Sequence, residues 1–256
     1  MRRSATAHAL VLVLCTPWTI TASTKAQQII SESQELLTVP PIDQDIGFGD
    51  RVAVDVSSGV AVVGTLSVGR VDVFTRDLLG EYSYATTLSG SSLDGFGRCA
   101  VAGEVIAVGA PRRGPFSDHG AVDLYRFDGI GWAFEDSLSP YTQEAKFGAS
   151  VVLVDDLLVA SAPEHDLGVS AHGAVHVYRD GASGWLEEAV LTGSSPFEGW
   201  EFGFSIASDG QTVVVGDPGQ AHPSGLGVPS SSMVPTGSQI KSWWASVLDL
   251  ELESTS

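Results

Sequence analysis

The sequence predicts an all-β chain built from tandem copies of a four-stranded antiparallel sheet. Three observations predict it. The composition is that of strands and turns: 43% hydrophobic, only 17% charged and 29 glycines, with Val, Thr, Ser and Gly dominating the middle of the chain. The dipeptide Phe-Gly recurs at Phe48-Gly49, Phe96-Gly97, Phe147-Gly148 and Phe202-Gly203, at intervals of 48, 51 and 55 residues. A period near fifty marks a repeat architecture. Between successive Phe-Gly marks lie four short β-type segments bounded by turn residues.

Residues 1–26 read as a signal peptide. Arg2 and Arg3 precede the apolar run 9–14, and a small-residue site follows at Thr24-Lys25-Ala26. The run is too short to cross a bilayer. Cys15 follows Leu14, where a lipid-anchor signal places a small residue, so no lipid anchor is expected. The expected location is therefore outside the cell, secreted or at the cell surface. Residues 36–47 resemble the end of a unit, because Leu37 precedes Phe48 much as Leu191 precedes Phe202. They are the candidate closing strand for an incomplete last unit.

The units run near 48–95, 96–146, 147–201 and 202–218. In the second, the expected strands are Arg98–Ala102, Glu104–Gly109, Ala121–Phe127 and Ala133–Leu138. The turn Ala102-Gly103-Glu104 is tight enough to impose a hairpin. The run VIAVG is apolar throughout, as in a strand covered on both faces. Thirteen to sixteen residues after each Phe stands Gly64-Thr65-Leu66, Gly109-Ala110-Pro111, Ser161-Ala162-Pro163 or Gly216-Asp217-Pro218. Proline ends a central strand because it has no N–H for the next rung. The third segments alternate as GRVDVF, GAVDLY and GAVHVY. An aromatic and a leucine follow: Tyr84 and Leu88, Trp132 and Leu138, Trp185 and Leu191. Four antiparallel strands every fifty residues describe a propeller blade. The Phe is read as a core anchor, and the glycine beside it as a place where backbones approach closely. Beyond Gly219 the pattern decays. Residues 219–256 read as a Pro/Ser/Gly-rich linker and a tail, IKSWWASVLDLELESTS, able to form one amphipathic helix.

Phe-Gly followed by Gly-Ala-Pro at this spacing resembles the FG-GAP repeat of integrin α-subunit β-propellers, which also occurs in secreted bacterial proteins. The resemblance covers about residues 48–218. Units two and three match well, unit one lacks the proline, and unit four keeps its first hairpin. It implies a β-propeller of seven blades. The chain supplies three full units and part of a fourth, so the expected form is either a partial, open array or a small closed propeller, completed by its own strands or by self-association. The resemblance also implies calcium in acidic loops between the first two strands of some blades. The matching loops, at Asp55–Gly59, Ala102–Glu104, Val154–Asp156 and Ser208–Gly210, lack three spaced acids. No metal and no cofactor are therefore assigned.

The formal charge is −18. Loss of Arg2, Arg3 and Lys25 with the leader leaves 10 basic against 31 acidic residues, so 10 − 31 = −21. Such a surface repels nucleic acid and anionic lipid. Cys99 alone remains past the leader, which excludes an internal disulfide. No nucleophile elbow, metalloprotease helix motif or phosphate-binding loop is present, and no catalytic residue is assigned. The loops after the Gly-Ala-Pro positions are long and variable, and they gather at one rim. Their candidate ligand-binding residues are Arg112, Arg113, Asp118, His119, Glu164, His165 and Asp166. The marks Phe48, Gly49, Phe96, Gly97, Gly109, Pro111, Phe147, Gly148, Pro163, Phe202, Gly203 and Pro218 are read as structural. The expectation is a non-catalytic binding or adhesion module for a protein or glycan. The alternatives are an extracellular hydrolase or its accessory domain, and a truncated remnant of a longer propeller.

Overall fold

The computed structural model describes residues 47–114, 119–140, 145–165, 173–193, 201–210, 212–218 and 230–235. The leader, residues 36–46 and the tail lie outside them. The described residues contain strands and no helix. They form four antiparallel sheets. The first holds β1 (Arg51–Asp55), β2 (Val60–Thr65), β3 (Arg70–Arg76) and β4 (Tyr82–Ser89). The second holds β5 (Arg98–Ala102), β6 (Val105–Ala110), β7 (Ala121–Phe127) and β8 (Trp132–Leu138). The third holds β9 (Val151–Val154), β10 (Leu157–Ala162), β11 (Ala174–Gly181) and β12 (Gly184–Thr192). The fourth holds β13 (Ser205–Ser208), β14 (Thr212–Asp217) and β15 (Ser230–Pro235). Strand order follows chain order in every sheet. No closed barrel or propeller is detected among the described residues.

β15 falls where the sequence reads as linker. Strand pairing uses backbone N–H and C=O groups, so a segment without apolar alternation still pairs with the free edge of β14. In the second sheet, β5 and β7 have the bounds expected from sequence. β6 is shifted by one residue at both ends, and β8 starts one residue earlier than expected.

The sheets are copies in register as well as in order. β3–β4, β7–β8 and β11–β12 each slip by one residue at the same step, between Val73 and Phe74, Leu124 and Tyr125, and Val177 and Tyr178. The extra residues are Ala85, Glu135 and Glu188. A bulge at one fixed register bends the outer strand alike in all three sheets.

The sheets stack face to face through apolar side chains. Val60, Val62, Val71 and Val73 of the first pack with Cys99, Val101, Ile106 and Val108 of the second. Val105, Ala107, Val122 and Leu124 of the second meet Leu153, Leu158, Ala160 and Tyr178 of the third. Leu157, Val159, Val175 and Val177 of the third meet Val213 and Val215 of the fourth. Both faces of β6 and β10 are thereby buried, and the far face of β2 is covered by Phe48, Phe74 and Tyr82, which is why these strands carry almost no polar residue. The first strands β1, β5, β9 and β13 lie in a row, each beside the next.

The Phe-Gly marks sit at these junctions. Phe96, Phe147 and Phe202 are buried in the first, second and third interfaces. Phe48 differs. It is half-buried, against Ala61, Val63, Phe74 and Tyr82 on the far face of the first sheet. The glycines do two things at once. Gly97, Gly148 and Gly203 donate their N–H groups to the carbonyls of Gly109, Ser161 and Gly216 in their own sheets, at 3.3, 2.8 and 3.0 Å. The carbonyls of Gly97 and Gly148 press onto the preceding sheet, so that a Cβ placed on Gly64 or Gly109 would lie 2.0 Å from them.

Candidate functional site

Antiparallel pairing brings the start of each first strand beside the end of each second strand. The loops that follow β2, β6, β10 and β14 therefore leave from the end of the sheets where the Phe-Gly marks sit. This end carries the described candidates Arg112, Arg113, His119, Glu164 and His165.

The structure separates Arg112 from Arg113. Arg112 is exposed, and its N–H donates to the Asp94 carbonyl at 2.9 Å. Arg113 turns inward. Its Nη1 lies 2.5 Å from Asp123 Oδ1 and its Nε 3.3 Å from Asp94 Oδ2. Burial disfavours the Arg113 charge, but these two carboxylates outweigh it and raise the pKa above the ordinary value. Arg113 thus ties the strand exit to the linker between sheets one and two.

His119 is half-buried, and its carbonyl accepts the Phe147 N–H at 3.0 Å, joining sheets two and three. Glu164 pairs with Lys146. His165 is buried, its ring 5.5 Å from that of His176 and nearly edge-on. Asp118 and Asp166 lie outside the described residues, as does His172. Arg113, Glu164 and His165 are thus each engaged with a different neighbour. Among the described residues, no group of three or more His, Cys, Asp or Glu side chains is placed to hold a metal ion.

A second set of polar residues was not singled out by sequence reasoning. Asp72, Asp123 and His176 occupy the same position in β3, β7 and β11, and are 0%, 5% and 2% exposed. Each is held by the neighbouring strand. Thr87 Oγ1 donates to Asp72 at 2.5 Å, Ser137 Oγ donates to Asp123 at 2.7 Å, and Glu187 Oε1 lies 2.6 Å from His176 Nδ1. Asp72 also pairs with Arg70 at 3.1 Å. The signal was present in GRVDVF, GAVDLY and GAVHVY as a polar residue at one fixed place. From sequence alone these segments are an alternation, with no role assigned to the polar residue, whereas the structure buries it in all three strands.

Asp55 joins two hairpins at the opposite end. Its carboxylate accepts from Ser57 N and Oγ, Ser58 Oγ and, across the interface, Gly103 N at 2.8 Å. Burial alone pushes its pKa up, but these bonds outweigh it and hold the carboxyl well below the usual range. The folded state therefore favours the ionised form. The stability this contributes is present above the ordinary value of 3.8 and is lost as pH falls below it. Asp55 is partly exposed, so screening limits the effect. Asp55→Ala is expected to cost about 1 kcal/mol at pH 7. The gap to wild type should shrink below pH 4, as read by urea denaturation across pH.

Cys99 is buried beneath Val62, and burial pushes its thiol up to about 12. At neutral pH almost no thiolate forms. Cys99 in the native protein should not react with a disulfide reagent on the minute scale, whereas in denaturant it should react at once, as read by peptide mapping of the labelled site.

No protein-family model and no curated protein sequence matches the chain. No helix among the described residues is long and apolar enough to cross a membrane.

Proposed function

We propose that the chain is an exported FG-GAP-like propeller-type repeat protein that binds a protein or glycan partner through the loops at one end of its blades, without catalysis and without a cofactor. The observation that carries this reading is the repeated junction. A buried Phe and a close glycine contact recur between successive sheets in register. That agrees with reading the Phe-Gly marks as stacking contacts, and it supports the FG-GAP-like reading. Each junction is spent on holding sheets together, and the long variable loops after β6, β10 and β14 are left as the parts free to specify a ligand.

The test is a panel of extracellular glycans and matrix proteins, probed with the wild-type chain and with a variant in which residues 115–118 are replaced by Gly-Ser. Binding lost in the variant at unchanged Tm supports the reading. Binding retained, or glycan cleaved by the wild type, overturns it. Light scattering with and without calcium reports assembly. A monomer indifferent to calcium means that the array is closed or capped within one chain, and a defined oligomer means that copies complete one another.

A further inference from the structure

The arginines of this acidic chain fall into two groups. Arg70, Arg113, Arg126 and Arg179 each face a carboxylate at 3.3 Å or less. Arg51, Arg76, Arg98 and Arg112 have no carboxylate partner among the described residues; Arg76 lies apart, at the Asp55–Gly59 turn, donating from Nη2 to the Val56 carbonyl at 2.9 Å. Arg51 donates from Nη1 to the Asp50 carbonyl at 2.7 Å, and Arg98 from Nη1 to the Gly95 carbonyl at 3.0 Å. In a chain with 31 acidic and 13 basic residues, three such arginines gathered at one end of the sheets are a departure from what charge numbers favour.

They are also neighbours. Arg51 pairs with Gly64, and Arg98 with Gly109, so the two occupy the same position in adjacent sheets, at the start of the inner strands. A Cβ on Gly64 would lie 3.4 Å from Arg51 Cβ and 2.0 Å from the carbonyl of Gly97, the residue before Arg98. Pro111, the residue before Arg112, and the Arg98 Nη1 flank the same face of Gly95, at 3.5 and 3.3 Å from a Cβ placed there. The Arg98 Nε is buried and has no hydrogen-bond partner among the described residues. Burial first, and then the charges of Arg51 and Arg112, depress the pKa of the Arg98 guanidinium. A buried cationic donor beside two like charges is costly unless an anion completes it. At the matching positions of the third and fourth sheets stand Ser150 and Ser205, which add no charge.

We propose that Arg51, Arg98 and Arg112 form an oxyanion site at the loop-bearing end of the inner strands, taking a sulfate or phosphate group of a ligand. Three guanidinium forks supply more donors than the two oxygens of a carboxylate accept, and they suit a tetrahedral oxyanion. The site deepens the binding reading by naming the chemistry recognised beside the loops, and it rests on that reading only for its place.

The test titrates the full-length chain with sodium sulfate at constant ionic strength, following the arginine Nε–Hε resonances. The Arg98 resonance should shift saturably. R98Q and R112Q should each weaken sulfate binding at least tenfold, while R126Q, at a guanidinium held by Glu135 and Asp180, should leave it unchanged. Arg112 is exposed, so R112Q keeps the test open if R98Q fails to fold. A sulfated disaccharide distinguishes the sources. Binding tighter than that of sulfate assigns the group to a glycan, and equal binding assigns the site to the free ion. No saturable shift with either probe, or full affinity in R112Q, overturns the proposal. Sulfate binding that survives replacement of the loop after Gly114, with partner binding lost, separates this site from the loop-based reading.

Discussion

Gly109→Ala is expected to be among the most damaging single-methyl changes in the chain. The added Cβ would lie 2.0 Å from the Gly148 carbonyl oxygen and 2.9 Å from its carbon. Both are backbone atoms of the third sheet, held by the Gly148 N–H bond to Ser161, so neither can swing aside as a side chain would. The two sheets must part by more than an ångström, and the apolar cluster of Val105, Ala107, Val122, Leu124 and Phe147 loosens with them. Overpacking of this kind costs about 3 kcal/mol or more, a fall in Tm of roughly 10 °C for a domain of this size. The next interface provides the control. Ser161 stands where Gly109 does and already carries a Cβ. Ser161→Ala removes only the bond from Ser150 N to its Oγ, 2.8 Å long, and should cost about 1 kcal/mol. Equal effects at the two positions would show that the close approach does not govern stability.

The second large effect is Phe147→Ala. The ring is fully buried between sheets two and three, edge-on to His176 at 5.3 Å and to Tyr178 at 6.0 Å. Its removal leaves a cavity lined by atoms that belong to two stacked sheets, at a cost of about 3–5 kcal/mol. The same substitution at Phe48 should cost about 1–2 kcal/mol, because that ring is only half-buried and has residues of one sheet around it. Chemical denaturation of the two variants side by side reads the difference. A Phe48→Ala variant as unstable as Phe147→Ala would place a further apolar interface on the far face of the first sheet.

The period of the Phe-Gly marks made the repeat legible, because a side chain that must fill the same hole in each copy cannot drift. The bounds of β5 and β7 were legible for a similar reason. Their ends are set by glycine and by tight turns, which leave a clear mark in the sequence. The bulges were not. An extra residue such as Ala85 or Glu135 in a half-exposed outer strand changes no apolar pattern, and only the pairing register reveals it. The burial of Asp72, Asp123 and His176 was not legible because alternation alone does not tell which of its two faces is covered. Stacking on both sides turns Asp123 and His176 inward, whereas Asp72 is enclosed within the first sheet by Arg70 and Thr87. Arg112-Arg113 read as one basic pair, yet neighbours on an extended backbone point apart. One went to Asp123 and the other to solvent beside Arg98. β15 was invisible because its place depends on the free edge of β14, a property of the backbone and not of its own residues.

Nuclear Overhauser contacts from the rings of Phe96, Phe147 and Phe202 to the methyl groups of the preceding sheet test the stacked-copy architecture most directly. The account predicts three matching sets: Phe96 to Val71 and Val73, Phe147 to Val122 and Leu124, and Phe202 to Val175 and Val177. Rings that contact unrelated methyls, or only residues of their own sheet, would contradict it.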